Sequence, residues 1–311
     1  SSQRRVSPLS KRSRSSAAIV RSFTTRLDHR SRDNGFISAC SLTQRIVVLS
    51  DTQLPYEDKR ALRNVIAFVG DYQPDAVYQI GDLMDYPTPS RWSKGTRHEF
   101  ARDVIKHSDY GKKNFLEPLR AVYDGPVGIL EGNHDERPRV YLEQAAPALA
   151  DFSETFHFSK LLDFDGFGVT HTPAFFKVGP DTVLVHGHEI KGMSQIAGTS
   201  AYNHATKAGT NIVMGHTHRL GIRRHTAQYI GGKPVRRWGF EVGNLMDSRK
   251  VQYLGAGGVA NWQSGFGILY VGKYDVSPYA IDVWSDGSFV VESERYGALK
   301  RDEGGKFKAA A

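Results

Sequence analysis

Two histidine pairs carry the clearest chemical signal in this chain: Val185-His186-Gly187-His188 and Met214-Gly215-His216-Thr217-His218. Each follows a short apolar run. Histidines two apart at a strand end share a face, because side chains alternate with a period of two. Neutral imidazole binds zinc, copper, iron and nickel, so each pair is a candidate transition-metal anchor. A lone His-x-His is weak, since surface and structural histidines produce it often. Three further polar clusters add weight: Asp51-Thr52-Gln53, Gly81-Asp82 and Gly132-Asn133-His134-Asp135. Singly they have ordinary readings. Asp51 or Asp82 can cap a following helix, and Asn133 can occupy a turn. Together, carboxylates, amides and imidazoles converging on one edge can bind two adjacent divalent metals, an arrangement that hydrolyses phosphate esters. His171, His204 and His225 stand outside these clusters and read as surface or core residues.

The elements that must position these groups alternate in type. Arg45–Ser50, Ala76–Ile80 and Val127–Leu130 read as buried strands, and each runs into one polar cluster. Helical periodicity follows each strand, over 57–69, over 97–122 with a break near Gly111, and over 137–149. Strand, polar loop and helix, repeated three times, indicate an α/β sheet with its site at the strands' carboxyl ends. From Phe152 to Thr172 the sequence reads as short strands and turns. Strands at 182–185 and 211–214 lead into the histidine pairs, with a helix expected over 193–208 between them. Beyond Gly221 the expectation is short strands punctuated by glycine. The organisation expected is a basic leader over 1–35, one domain over 36–297 and a polar tail over 298–311.

These motifs, in this order and at strand ends, resemble the calcineurin-like metallophosphoesterase superfamily: Asp51-x-Gln53, Gly81-Asp82, Gly132-Asn133-His134-Asp135, His186-Gly187 and Gly215-His216-x-His218. The resemblance implies two mixed β-sheets packed as a sandwich and flanked by helices. It implies one metal held by Asp51, Gln53, Asp82 and His218, and a second held by Asp82, Asn133, His186 and His216, with Asp82 bridging. It also implies a metal-bridging hydroxide as nucleophile, and His134 beside the substrate phosphate as charge stabiliser or leaving-group acid. Asp135 is expected to orient His134. His188 is expected to support a ligand or contact phosphate, Arg137 to reach a substrate phosphate or simply begin a helix, and Asp85, Tyr56 and Asp58 to be nearby polar support. Most relatives of this kind have histidine where this chain has Gln53. An amide oxygen is a harder and weaker donor, so a loosened first site and manganese, ahead of iron or zinc, are expected.

Composition narrows the rest. The chain has 311 residues, 40% hydrophobic and 24% charged, which suits a soluble globular protein. Its one cysteine, Cys40, excludes an internal disulfide framework and a thiolate zinc site, so a cytoplasmic or other reducing compartment is the expectation. No apolar run approaches membrane-spanning length. Residues 1–33 hold nine Lys/Arg against Asp28 and Asp33, whereas residues 34–311 hold 32 Lys/Arg against 31 Asp/Glu. The Ser/Arg-rich leader is expected to be disordered, as a solvated extension, a targeting segment or a nucleic-acid arm. The missing initiator Met suggests processing, and Ala309-Ala310-Ala311 an appended remnant. A basic, aromatic stretch from Arg91 to Lys113 is either a solvated helix face or a cover that holds a nucleotide. The leading expectation is therefore a phosphodiesterase acting on nucleotide-type or other small diesters. A DNA or RNA nuclease using the leader and a non-catalytic metal-binding scaffold are the alternatives.

Overall fold

The computed structural model describes residues 43–297 except 92, 229 and 251–259, together with strand residues 300–301 and 307–308. The expected leader lies outside the described residues, as does most of the expected tail. In chain order the strands and helices are β1 (Gln44–Leu49), α1 (Lys59–Tyr72), β2 (Ala76–Gln79), α2 (Val104–Gly111), α3 (Glu117–Val122), β3 (Val127–Ile129), α4 (Arg137–Ala145), α5 (Phe158–Leu161), β4 (Val169–His171), β5 (Phe176–Gly179), β6 (Thr182–Val185), α6 (Thr199–Ala208), β7 (Asn211–Met214), β8 (Leu220–Ala227), β9 (Val235–Val242), β10 (Gly265–Val271) and β11 (Val276–Asp282). Two small hairpins follow, Phe289–Val291 with Glu294–Tyr296 and Lys300–Arg301 with Phe307–Lys308.

Two mixed sheets result. The first runs β11-β10-β1-β2-β3-β4, with β1 to β4 mutually parallel and β10 antiparallel to β1. The second runs β5-β6-β7-β9-β8, with β6, β7 and β9 parallel. The period-2 alternation of β1 sorts its side chains between two cores. Ile46 and Val48 pack with Leu184, Val213, Phe240 and Leu269 between the sheets. Val47 and Leu49 pack instead with Val65, Phe68, Phe115 and Leu119 on the helical side. On the outer side of the second sheet, Ala201 and Ala205 of α6 meet Ile212 and Met214. The layers are therefore helices, sheet, sheet, helix: the expected sandwich.

Three expected elements differ. The stretch expected as one helix from 97 begins as a 3-10 turn, Arg97–Phe100, and becomes α-helical at Val104. Its break after Gly111 is a π turn, Lys112–Leu116, that joins α2 to α3. The region 152–172 is not mainly strands. It is a 3-10 helix, Pro147–Phe156, then α5, with only β4 extended, because Phe158 and Phe164 must reach the helical-side core. The helix expected from 193 starts at Thr199. Its first amides, Ser200 N and Ala201 N, are capped by the buried Glu241 of β9 at 2.7 and 3.3 Å. Among the described residues, no helix is long and apolar enough to cross a membrane.

Candidate active site

Parallel β1, β2 and β3 in one sheet and β6 and β7 in the other end on the same side, so their following loops meet. Those loops cross-link through the backbone. Asp51 N donates to Gly81 O at 3.1 Å, Gln53 N to Asp82 O at 3.0 Å, and Gly215 N to His186 O at 3.0 Å. Within them Asp51, Gln53, Asp82, His216 and His218 all have positive φ, between 47° and 63°. Such conformations cost a non-glycine residue about 1–3 kcal/mol each and persist only where the surroundings impose them. Here they turn five side chains from three loops inward. Gly81, at φ 102°, is required on two counts: a Cβ there would lie 2.4 Å from His186 Nδ1.

The side chains form two adjoining clusters. Donor atoms of Asp82, His186 and His216 lie within 4.8 Å of one another, and so do those of Asp51, Asp82 and His218. Asp82 belongs to both. His186 Nδ1 lies 2.9 Å from Ile80 O, which fixes a proton on Nδ1 and aims Nε2 inward. That Nε2 is 3.3 Å from Asp82 Oδ2 and 3.3 Å from Asn133 Oδ1. On the other side, His218 Nε2 is 3.2 Å from Asp51 Oδ1 and 3.5 Å from Gln53 Nε2. The remaining carboxylate oxygens are held by protein donors. Asp51 Oδ2 accepts from Ser50 Oγ and His216 N, at 2.5 and 2.9 Å, and Asp82 Oδ1 accepts from His134 N at 2.8 Å.

Charge in this cluster is concentrated and dry. Burial opposes ionisation of Asp51 and Asp82, yet the nearby imidazoles outweigh it: His218 holds Asp51 below the usual carboxylate range, and His134 and His186 hold Asp82 well below it. Burial likewise opposes charge on His186, but the carboxylate of Asp82 raises it to about 10. His216, buried and beside His186, is pushed down to about 4. The carboxylates thus recruit a positive charge from the protein itself. Divalent cations suit the same donors. Asp51 Oδ1 and Gln53 Oε1 are buried without hydrogen-bond partners, and the set of carboxylate, amide and imidazole accepts manganese, iron or zinc. Gln53 is oriented with its NH2 toward Asp82 Oδ2, at 3.2 Å, so a half-turn of the amide is needed to present its oxygen.

His134 sits beside this cluster, and its supporting carboxylate differs from expectation. Asp135 does not orient it. Asp135 is fully buried and accepts from Gly132 N, Leu83 N and Met84 N, at 2.9, 3.3 and 2.8 Å. Burial, reinforced by the charge of Asp82, pushes its carboxyl up to about 8. Its place is structural. Asp85 is the partner instead, with Oδ1 2.7 Å from His134 Nδ1. Arg137 lies on the opposite side of the ring, NH2 3.0 Å from His134 Nε2, and also donates to Asp85 O at 2.6 Å. A guanidinium only donates, so this contact needs an unprotonated Nε2. Burial also opposes charge on His134, whereas Asp82 and Asp85 favour it strongly enough to raise its pKa. The two influences oppose each other, and the position of Arg137 decides between them.

Other expected residues fall at the periphery. Asp58 is a helix cap, accepting from Arg60 N and Ala61 N. His188 is 5.3 Å from His186 ring to ring, half-buried, and outside both clusters. Three neighbours were missed by sequence reasoning. Trp262 packs on the His218 ring at 4.5 Å, Ser50 holds Asp51, and Thr217 donates to the buried Glu241 at 2.9 Å between the two ligating candidates His216 and His218. Ser50 and Thr217, adjacent to motif residues, carried a readable signal; Trp262 carried none.

Comparison with known proteins agrees with this architecture. A profile of the calcineurin-like phosphoesterase family matches residues 44–251. The Gene 54 proteins of Mycobacterium phages D29 and L5 are each 51% identical over 245 residues, covering 78% of this chain and 94% of the relative. Among solved structures, a dimetal phosphatase from Danio rerio is 13% identical with a TM-score of 0.36, covering 76% of this chain and 98% of that one. The chain is a metal-dependent phosphoester hydrolase and belongs to the calcineurin-like phosphoesterase family.

Proposed function

We propose that the enzyme hydrolyses small phosphodiesters of the nucleotide type. The observation that carries this reading is a cavity of about 610 Å³ that opens directly onto Asn133 and His134. One wall is the stripe Arg137, Val140, Tyr141 and Gln144 of α4, at helical spacing. Pro89, Ser90, Arg91, Lys94 and Glu99 line the rest. Tyr141 Oη donates to Glu99 Oε1 at 2.8 Å and closes the back. A diester carries two ester arms, and this cavity offers room for one of them beside the scissile phosphate. A second ester arm with an aromatic base and an anionic charge fits these walls.

In this reading Asp51, Gln53, Asp82 and His218 hold one cation, and Asp82, Asn133, His186 and His216 hold the other. The amide oxygen of Gln53, a harder donor than imidazole, favours manganese there. The chemistry that two such cations supply is neutralisation of phosphoryl charge and activation of a water. The chain's own residues do the rest. A phosphate beside His134 draws Arg137 onto its oxygens, because a bidentate guanidinium–phosphate pair is stronger than a guanidinium–imidazole contact. His134 Nε2 is then released to carry a proton, stabilised as imidazolium by Asp85, and to deliver it to the leaving oxygen. His134, Asp85 and Arg137 together favour catalysis over the scaffold alternative, which needs none of them.

The test is hydrolysis of bis(4-nitrophenyl) phosphate against 4-nitrophenyl phosphate, with manganese, iron, zinc and magnesium in turn. The diester should be preferred, manganese should support the highest rate, and Asp82→Ala and His134→Ala should abolish or cripple turnover. Preference for the monoester would overturn the diester reading. Equal activity of wild type and His134→Ala would overturn the assignment of His134.

A further inference from the structure

The near neutrality of residues 34–311 conceals a separation of charge. Between residues 190 and 240 there are eight Lys/Arg and no Asp or Glu, while the remainder of 34–311 holds 24 Lys/Arg against 31 Asp/Glu. This acid-free stretch takes in α6, β7, β8 and β9 as far as Phe240, one flank of the second sheet. Its cations gather on the β8–β9 ribbon. Arg223 is occupied, donating to Thr199 Oγ1 at 2.7 Å, and Arg237 lies 3.8 Å from Asp181. Arg224 and Arg236 are exposed, and neither guanidinium has an ion pair or hydrogen bond among the described residues.

The register brings these two together. Arg224 stands opposite Trp238 and Thr226 opposite Arg236, so Arg224 and Arg236 are diagonal neighbours on one face. Diagonal neighbours across an antiparallel pair are about 7–8 Å apart, a spacing at which like charges repel. Both line a groove of about 610 Å³ with Tyr274, which is 75% exposed, and with Asp181 and Asp275, of which Asp181 faces Arg237 at 3.8 Å. An edge strand such as β8 is often charged to block pairing with other chains. That purpose needs one or two charges, not the clearing of acids from fifty consecutive positions, and it does not account for an exposed aromatic ring beside two guanidiniums that have no ion pair among the described residues.

We infer that the β8–β9 ribbon binds the phosphate backbone of nucleic acid, with Arg224 and Arg236 on successive phosphates and Tyr274 against a base. Guanidiniums suit phosphate oxygens, and aromatic rings accept any base by stacking. The ribbon leads toward the metal-binding loops, since β8 begins two residues after His218. Arg224 stands four residues into that strand, about 13 Å beyond its start. The docking surface is therefore remote from the hydrolytic site and independent of how that site works.

Fluorescence anisotropy of the full chain with a labelled single-stranded oligonucleotide of about 20 nucleotides tests this. The wild type should bind with a steep salt dependence between about 50 and 200 mM. Arg224→Glu/Arg236→Glu should bind at least about tenfold more weakly, and its log–log salt slope should fall by about 1.4, the value for two lost phosphate contacts on a single strand. Arg224→Gln/Arg236→Gln should shift the same way, and hydrolysis of bis(4-nitrophenyl) phosphate should be unchanged in both. Unchanged affinity and slope in the double variants overturns the inference. So does a chain without residues 1–33 that loses all binding, or a double variant that fails only on phosphatidylglycerol vesicles.

Discussion

Asp85, and not the adjacent Asp135, is the carboxylate on His134: its Oδ1 stands 2.7 Å from His134 Nδ1, while Asp135 is spent on three backbone amides. The two acids therefore divide their duties. Asp85 reaches the ring from the loop after β2, fixed there by its own amide, which donates to Leu54 O at 2.9 Å. It faces the ring of His134. Asp135 ties the loop after β3 to the loop after β2, which keeps Asn133 and Asp82 in register.

That division predicts two different phenotypes. Asp85→Asn keeps a hydrogen-bond acceptor for Nδ1 but removes the charge that stabilises an imidazolium. Turnover should fall by about 10²-fold, with KM and metal content nearly unchanged. Asp135→Ala strands three buried amides, each costing about 1–3 kcal/mol. It should lower the melting temperature markedly. Steady-state kinetics and calorimetry on both variants check this, and a thermal defect in Asp85→Asn with full turnover would reverse the assignment.

Much of the site could be read from the sequence, and its limits have physical causes. β-branched runs such as Ile46-Val47-Val48 end in polar residues, and parallel strands with common carboxyl ends bring those residues together. The pairing of Asp85 with His134 was hidden because Asp135 is adjacent to His134 in sequence while Asp85 lies 49 residues away, and only the fold decides which one reaches the ring. The start of α6 was hidden for a similar reason. Its amides are capped by Glu241, some 40 residues downstream on β9. The five left-handed residues of the site left no sequence trace, since none is glycine. The basic flank was visible throughout, but totals over 34–311 averaged it away.

Arg137 is expected to act on binding more than on chemistry. Its guanidinium is 17% exposed, held by Asp85 O and His134 Nε2, and faces the cavity along α4. Loss of a charge-assisted contact to phosphate is worth about 1.5–3 kcal/mol. Arg137→Ala should thus raise KM at least about tenfold for bis(4-nitrophenyl) phosphate. Arg137→Lys should rescue little of it, because an ammonium cannot span phosphate and backbone as a planar fork does. A kcat effect alone, with KM constant, would place Arg137 in the chemical step instead.

Gln53 is expected to set the strength of the first cation position. Gln53→His replaces an amide that must rotate with an imidazole suited to transition metals. At limiting metal, elemental analysis should find more zinc per chain in Gln53→His than in the wild type, and the preference for manganese should narrow. Gln53→Ala should retain the Asn133–His186–His216 position and lose the other. If Gln53→His and wild type bind equal zinc and manganese across a titration, the amide is not a determinant of the site.

The seam between α6 and β9 supplies the last prediction, because it fixes the loop carrying His216 and His218 without touching substrate. Gly239 of β9 lies so close to α6 that a Cβ there would stand 2.0 Å from Tyr202 N and 2.2 Å from Ala201 C. Backbone cannot yield as a flexible side chain can. Gly239→Ala must push α6 away from β9, which also pulls Ser200 N and Ala201 N from Glu241, and Glu241 in turn holds Thr217. Overpacking costs about 1–3 kcal/mol or more, and in a domain of this size about 2–4 °C of melting temperature follows each kcal/mol. A fall of about 2–12 °C is expected, together with weaker metal retention. Gly272→Ala is the control, since its Cβ would meet only Asp275 O, at 3.4 Å. Equal melting temperatures for the two variants would show that the seam gives way freely and that Glu241 does not position the histidine loop.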